Sequence, residues 1–166
     1  MQGKAHKYGD NINTDIISPP QYMELGIEEA SKYAMSAVDP DFAKKVKLGD
    51  FFVAENNLGS GSSRETAPLS LKYLGIRAVV AKFFARIFYR NAINVGLIAV
   101  ECQEADEIAD ADELVIDYEA GIITNKTQKK TYICSKIPSH ILELIEAGGM
   151  YEYLKQKHKT GFETGR

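Results

Sequence analysis

The spacing of apolar and polar positions changes several times along the chain, and each change marks an element. Residues 3–8 read as a short first strand. Phe51-Phe52-Val53-Ala54-Glu55, entered through Gly49-Asp50, is an apolar run of strand length and reads as a strand buried on both faces. Ala78-Val79-Val80-Ala81 and Gly96-Leu97-Ile98-Ala99-Val100 are two more of the same kind. Between these runs helical spacing takes over. A helix is expected over Arg64 to Leu74, stopped by Gly75, and an amphipathic segment rich in aromatics and Arg covers 83–94. Two strands then flank a turn at Ala120-Gly121, and another lies near Thr131-Tyr132-Ile133. Pro138 or Ser139 opens a helix that Gly148-Gly149 interrupts, and a last helix starts near Met150. Residues 27–36 suit a helix, with Asp39-Pro40 beginning a turn or a further short helix. Residues 9–26, full of Asn, Asp, Ser, Pro and Gly, are expected as loop, stiffened by Pro19-Pro20.

Strand–helix–strand alternation through the middle predicts an α/β core with short crossovers. The late hairpin makes the expected sheet mixed, mostly parallel and flanked by helices. No internal repeat or linker divides the 166 residues, so one domain over 1–166 is expected. Its C-terminal helices, about 138–157, should pack on the sheet, and 158–166 should fray.

Charge and cysteine usage narrow the function. Lys and Arg number 20 against 23 Asp and Glu, so no basic field favours nucleic acid. The locally basic Lys155, Lys157, His158 and Lys159 read as a solvated tail. No apolar run reaches membrane-spanning length, and Met1 to Lys7 lacks the apolar core of a signal peptide, so the cytoplasm is the expected location. Cys102 and Cys134 form no Cys-x-x-Cys pair. No disulfide framework, no metal site and no cofactor bound by this chain is expected. An iron–sulfur cluster takes three or four cysteine ligands, more than this chain has.

The most informative stretch is Gly59-Ser60-Gly61-Ser62-Ser63-Arg64-Glu65, placed between a strand and a helix. Ser62-x-x-Glu65 fits a capping box, with Ser62 as N-cap. Unpaired N–H groups and the helix dipole would favour an anion there, the glycines would let it approach, and Arg64 adds a planar fork suited to carboxylate. The bland alternative is a plain helix cap. The spacing is neither a phosphate loop nor a dinucleotide fingerprint. A serine beside Arg64 and backbone donors can also serve as a base, because those neighbours stabilise its alkoxide. His6, His140 and His158 are scattered, so a Ser-His-Asp hydrolase is unsupported.

Three segments together resemble the swivelling domain of the aconitase superfamily: Gly9-Asp10-Asn11-Ile12-Asn13-Thr14-Asp15-Ile16-Ile17, the loop Gly59 to Glu65, and Phe84-Ala85-Arg86-Ile87-Phe88-Tyr89-Arg90-Asn91-Ala92-Ile93-Asn94-Val95-Gly96-Leu97. The resemblance covers essentially the whole chain and is nearest to the stand-alone small subunits of the isopropylmalate dehydratase and homoaconitase type. It implies a β/β/α swivelling fold and a hydro-lyase that is inactive without a cysteine-bearing large subunit. That partner would carry a 4Fe–4S cluster, and the substrate would be a small hydroxy-di- or tricarboxylate. By the same resemblance Ser62 matches a serine base, Ser63 and Arg64 match carboxylate-binding residues, and Asp15 matches an acidic residue near the site. Asp15 also has a local reading, a carboxylate bonding nearby turn N–H groups. Arg86 and Arg90 are candidates for the subunit interface or the site, and Asn91 and Asn94 for satisfying backbone.

Substrate choice in the resembled family is attributed to a loop that here reads Gln21-Tyr22-Met23-Glu24-Leu25-Gly26. Met23 and Leu25 suit a branched alkyl group. The loop lacks the arginine that homoaconitase-like relatives use for an extra carboxylate. Glu24 fits neither pattern and would repel an anionic substrate if it faced one. A related dehydratase of the dimethylmalate, citramalate or homoaconitate type stays open, as does a non-catalytic anion-binding module of the same fold.

Overall fold

A computed structural model describes the backbone of residues 1–163 and the side chains of 1–159. Seven strands form one sheet: β1 (Gln2–Lys7), β2 (Phe51–Val53), β3 (Ala78–Ala81), β4 (Ile98–Glu101), β5 (Glu113–Asp117), β6 (Ile122–Asn125) and β7 (Lys130–Ile133). Their spatial order is β4-β3-β2-β1-β5-β6-β7. The pairings among β1 to β4 are parallel, and those from β1 through β5 and β6 to β7 are antiparallel. The sheet is therefore mixed and flanked by helices, as the alternation implied. The parallel pairings make up half of it rather than the larger share, because after β4 the chain crosses to the far side of β1 and builds a meander.

Laying β1 to β4 down side by side in one direction sends each right-handed crossover over the same face. That face carries α1 (Thr14–Ile17), α2 (Ile27–Ser31), α3 (Phe42–Lys45), α4 (Thr66–Leu74) and α5 (Arg86–Asn94). Phe52, Val79, Ala81 and Ala99 pack there against Ile17, Phe42, Leu71 and Phe88. The alternate residues Phe51, Val53, Val80 and Val100 point the other way, onto Leu114, Ile116, Ile123 and Tyr132 of the antiparallel half. The sheet thus curls over itself, giving β/β/α layers. Past β7, the Ser135 N–H reaches the Glu101 carbonyl at 2.8 Å and draws the curl towards β4.

Several boundaries differ from the sequence reading. The loop expected over 9–26 contains α1 and a 3-10 turn at Pro20–Tyr22, since proline is tolerated at a first helical position. α2 ends at Ser31, and turns follow it. Gly75 ends α4 at φ +112°, as expected. Helix α6 (Ser139–Glu146) starts after Pro138, and α7 (Met150–Glu163) carries regular helix six residues past 157. Of the tail expected to fray, 158–163 is helical and 164–166 lies outside the described residues.

What places the site is the common end of the parallel strands. The segments leaving β1, β2 and β3 meet there: Asn11 N–H bonds to Asn56 O, Gly59 N–H to Ile12 O, and Leu58 N–H to Phe83 O. Carboxyl ends of parallel strands are where α/β sheets hold their ligands.

Candidate active site

The loop after β2 can lie flat only because of its glycines. Gly59 has φ +85°, and a Cβ there would overlap the Phe88 ring of α5. Gly61 has φ +105° and faces the Thr14 hydroxyl. Residues 60–62 then run along the start of α1. The Thr14 N–H donates to Ser60 O at 2.9 Å, and the Ser62 N–H donates to Thr14 Oγ1 at 3.0 Å. From the other side, Asn91 Nδ2 donates to Ser63 O at 2.8 Å.

This grip explains a departure from the expected capping box. Ser62 is not the N-cap of α4. The cap position is Glu65, at φ −67° and ψ −20°, without a side-chain cap bond, and the helix begins at Thr66. The Ser62 N–H is already committed to Thr14, so Glu65 cannot return the second bond of a capping box. The cationic partner of the Ser62 hydroxyl is therefore Arg64 rather than the helix N-terminus. Arg64 Nε donates to Ser62 Oγ at 2.8 Å.

The structure brings together residues far apart in sequence. Arg64 Nη2 meets Asp15 Oδ1 at 3.0 Å, and Nη1 lies against the Met23 sulfur. Asp15 comes from the first turn of α1, which Asn13 caps by accepting the Ile16 N–H at 2.9 Å. Three consecutive residues thus divide the work: Asn13 caps α1, Thr14 holds the Ser62 backbone, and Asp15 orients Arg64. Asp15 pairs with Arg64 rather than with the local backbone. Asn91 satisfies backbone as the sequence reading expects, and its acceptor is the Ser63 carbonyl; the role of Thr14 was missed, because it depends on which loops meet in space.

Arg64 has five N–H donors, of which three have acceptors, leaving one on each terminal nitrogen for a bound carboxylate. A charge-assisted bond to Ser62 Oγ favours the ionised oxygen and so suits it to accept a proton. Ser63, Asp15, Met23, Glu24 and Leu25 are exposed, and Ser62 and Arg64 half-buried, so the cluster is open to water on one side. Tyr22 anchors the neighbouring loop by stacking on Tyr33 at 3.8 Å. Arg86 and Arg90 are exposed on α5 and make no hydrogen bond or ion pair with Ser62, Arg64 or Asp15 among the described residues. A cavity of about 600 Å³ lies at the opposite ends of the strands, lined by Leu48, Arg77, Gly96 and Leu142, and shares no residue with this cluster.

The residues present do not fit an iron–sulfur cluster. Cys102 and Cys134 are buried in the core between the two layers of the curled sheet, where burial pushes their thiols up to about 12 and about 11. Among the described residues no three His, Cys, Asp or Glu side chains stand together as a metal site. No described helix is long and apolar enough to cross a membrane.

The family model of the aconitase C-terminal domain matches residues 10–105. The 3-isopropylmalate dehydratase small subunit 1 of Archaeoglobus fulgidus is 51% identical over 92% of this chain and 96% of its own length. The isopropylmalate/citramalate isomerase small subunit of Methanocaldococcus jannaschii is 47% identical over 95% of each chain. A crystal structure of 3-isopropylmalate dehydratase from Methanocaldococcus jannaschii superposes with a TM-score of 0.93 at 44% identity, covering 99% of this chain and 98% of that one. With the β/β/α fold and the Ser62–Arg64–Asp15 cluster on its open end, the chain belongs to the aconitase C-terminal domain family and, within it, to the 3-isopropylmalate dehydratase small subunits.

Proposed function

We propose that this chain is the small subunit of a 3-isopropylmalate dehydratase, a hydro-lyase that interconverts 2- and 3-isopropylmalate by removing and re-adding water in leucine biosynthesis. The observation that carries this reading is the single guanidinium of Arg64 bonded to both Ser62 Oγ and Asp15. It places a proton acceptor next to a carboxylate-binding group, and a malate needs both. The proton to be removed sits on the carbon next to a carboxylate. Ser62 Oγ takes that proton, and the spare N–H groups of Arg64 hold the carboxylate as charge builds on it. Ser63, at the rim of the loop, adds a hydroxyl within reach of the same carboxylate. Asp15 keeps the guanidinium in the plane that serves both tasks.

The open side of the cluster calls for a second chain to exclude water. That chain is the large subunit, whose cysteines hold a 4Fe–4S cluster that supplies Lewis acidity towards the leaving hydroxyl. Two buried free thiols suit a reducing compartment, which supports the cytoplasm as the place of work. The domain is taken as the whole of 1–166, because strands from Gln2 to Ile133 share one sheet and α6 and α7 pack on α5.

Met23 against Arg64, with Leu25 exposed on the same loop, supports a branched alkyl substituent on the substrate. The likeness to an isopropylmalate/citramalate isomerase subunit favours citramalate as a second substrate. A methyl group in place of isopropyl forfeits about 0.8 kcal/mol for each CH₂ left unburied. The test is to combine the purified chain anaerobically with its large subunit and assay isopropylmalate, citramalate, dimethylmalate and homocitrate-type acids. Turnover of isopropylmalate that neither chain shows alone is the expected result. A formed complex with an intact cluster and no turnover on any of them would refute the assignment and leave an anion-binding module.

A further inference from the structure

We infer that Thr14 and Asn91 are positioning residues for the serine base, acting as a two-sided clamp on the backbone that carries it. This rests on the reading of Ser62 as the base. A serine on a surface loop has two freedoms that would spoil it as a base: rotation of its side chain and movement of its backbone. Arg64 restrains the first through Nε–H···Oγ at 2.8 Å. The second is restrained by other residues. The Thr14 hydroxyl accepts the Ser62 N–H at 3.0 Å, and Asn91 Nδ2 donates to Ser63 O at 2.8 Å. The peptide groups on either side of the Ser62–Ser63 pair are therefore fixed from opposite directions, one by α1 and one by α5.

Thr14 suits this task. It is 2% exposed, its backbone N–H also holds Ser60 O, and its β-branched side chain has few rotamers. A hydroxyl standing in for a backbone carbonyl lets a four-residue helix grip a neighbouring loop without a strand pairing. The adjacent Asp15 holds Arg64, so one turn of α1 fixes the backbone and the side chain of the base together. Misplacement of a reacting group by about 1 Å can cost on the order of 100-fold in rate.

Thr14→Val keeps the shape and deletes the acceptor, whereas Thr14→Ser keeps the acceptor. In the reconstituted two-subunit enzyme, Thr14→Val should lower kcat by about 10- to 100-fold. The substrate KM should stay within about threefold, Thr14→Ser should recover most of the rate, and the Ser62 amide should exchange faster with solvent in Thr14→Val. A Thr14→Val enzyme with wild-type kcat overturns the proposal. Should that variant not fold, Asn91→Ala at the half-buried other jaw replaces it, and an unchanged kcat there overturns it equally. An inactive wild-type complex would refute the reading of Ser62 as base. Ser62 amide exchange then still decides the clamp, because unchanged exchange in Thr14→Val removes it.

Discussion

The buried networks within the sheet and the open end of the parallel strands treat their carboxylates in opposite ways. In the antiparallel half Asp112 is 4% exposed, and its Oδ2 is fully engaged. It accepts from Asn125 Nδ2 at 2.8 Å, Gln128 Nε2 at 2.7 Å and the Ala109 N–H at 2.9 Å. Asn125, fully buried, returns its carbonyl to the Gln128 N–H at 3.1 Å. At the open end of the parallel half, Asp15 is exposed and has one side-chain partner among the described residues, Arg64, which itself keeps donors to spare. A closed network costs much to break and offers a ligand nothing. An unsaturated one adds little to stability and can bind. Stability and chemistry should therefore separate between the buried networks and the open-end cluster.

The strongest attempt to break that separation is Ser62→Ala. Loss of the proposed base should lower turnover by about 1,000-fold or more, roughly 4 kcal/mol in the barrier. The hydroxyl is half-buried and its one partner can turn to water, so the melting temperature should move by no more than about 1 °C. Steady-state kinetics beside a thermal melt would show it, and a collapse of both would mean that the loop is structural first.

Asp112→Ala is the converse. It strands three donors in the curled half and should destabilise the chain by about 3 kcal/mol while leaving kcat unchanged. The same carboxylates set the acid limit. Burial raises Asp112, yet hydrogen bonds from Asn125, the Ala109 N–H and Gln128 outweigh it and hold its carboxyl below the usual range. Burial likewise opposes the bonds from His6, Lys47 and Lys4 that hold Asp50 low. A group lowered in the folded state adds stability that is complete above its unfolded value, about 4, and that drains away as the pH falls through the lower folded value. Urea midpoints should hold steady above about pH 5 and fall below pH 4, more shallowly in Asp112→Asn.

The sequence reveals the strongly patterned half well and the site only in part. Runs such as Ala78–Ala81 are unambiguous because burial on both faces leaves no polar position. The turn at Gly121 and the stop at Gly75 follow from left-handed backbone at φ +75° and +112°. The start of α4 was misread because Ser62-x-x-Glu65 satisfies the capping pattern, while a tertiary contact, Thr14 to the Ser62 N–H, takes the donor that the cap would have used. α1 was hidden for a related reason: four residues carry too little periodicity to register, and their helix is held by the Asn13 cap and by packing against α4. Ser62, Arg64 and Asp15 emerge from the resemblance, but their pairing needs the loops after β1 and β2 to meet.

Asp15→Asn sharpens the contrast within the site. The pair with Arg64 is too exposed on the Asp15 side to contribute more than about half a kcal/mol to stability. Its loss leaves the guanidinium charged but free to swing, so kcat/KM should fall by about tenfold with urea midpoints unchanged. A large drop in stability instead would place Asp15 with Asp112 as a structural carboxylate.

The smallest expected effect tests what the loop after α1 contacts. Leu25 is 45% exposed and lies two residues from Met23, whose sulfur touches Arg64. If the alkyl group of the substrate rests on this loop, Leu25→Ala removes about one methylene's worth of contact, roughly 0.8 kcal/mol. Methyl-bearing citramalate reaches that surface less than isopropylmalate does. The ratio of kcat/KM for isopropylmalate over citramalate should therefore drop by about fourfold, while the rate on citramalate alone barely changes. Competition of the two substrates in one vessel would measure the ratio directly. An unchanged ratio would detach Leu25 from the alkyl group and assign its exposed side chain to the face that the large subunit covers, leaving Met23, on Arg64 itself, as the loop's contact with substrate.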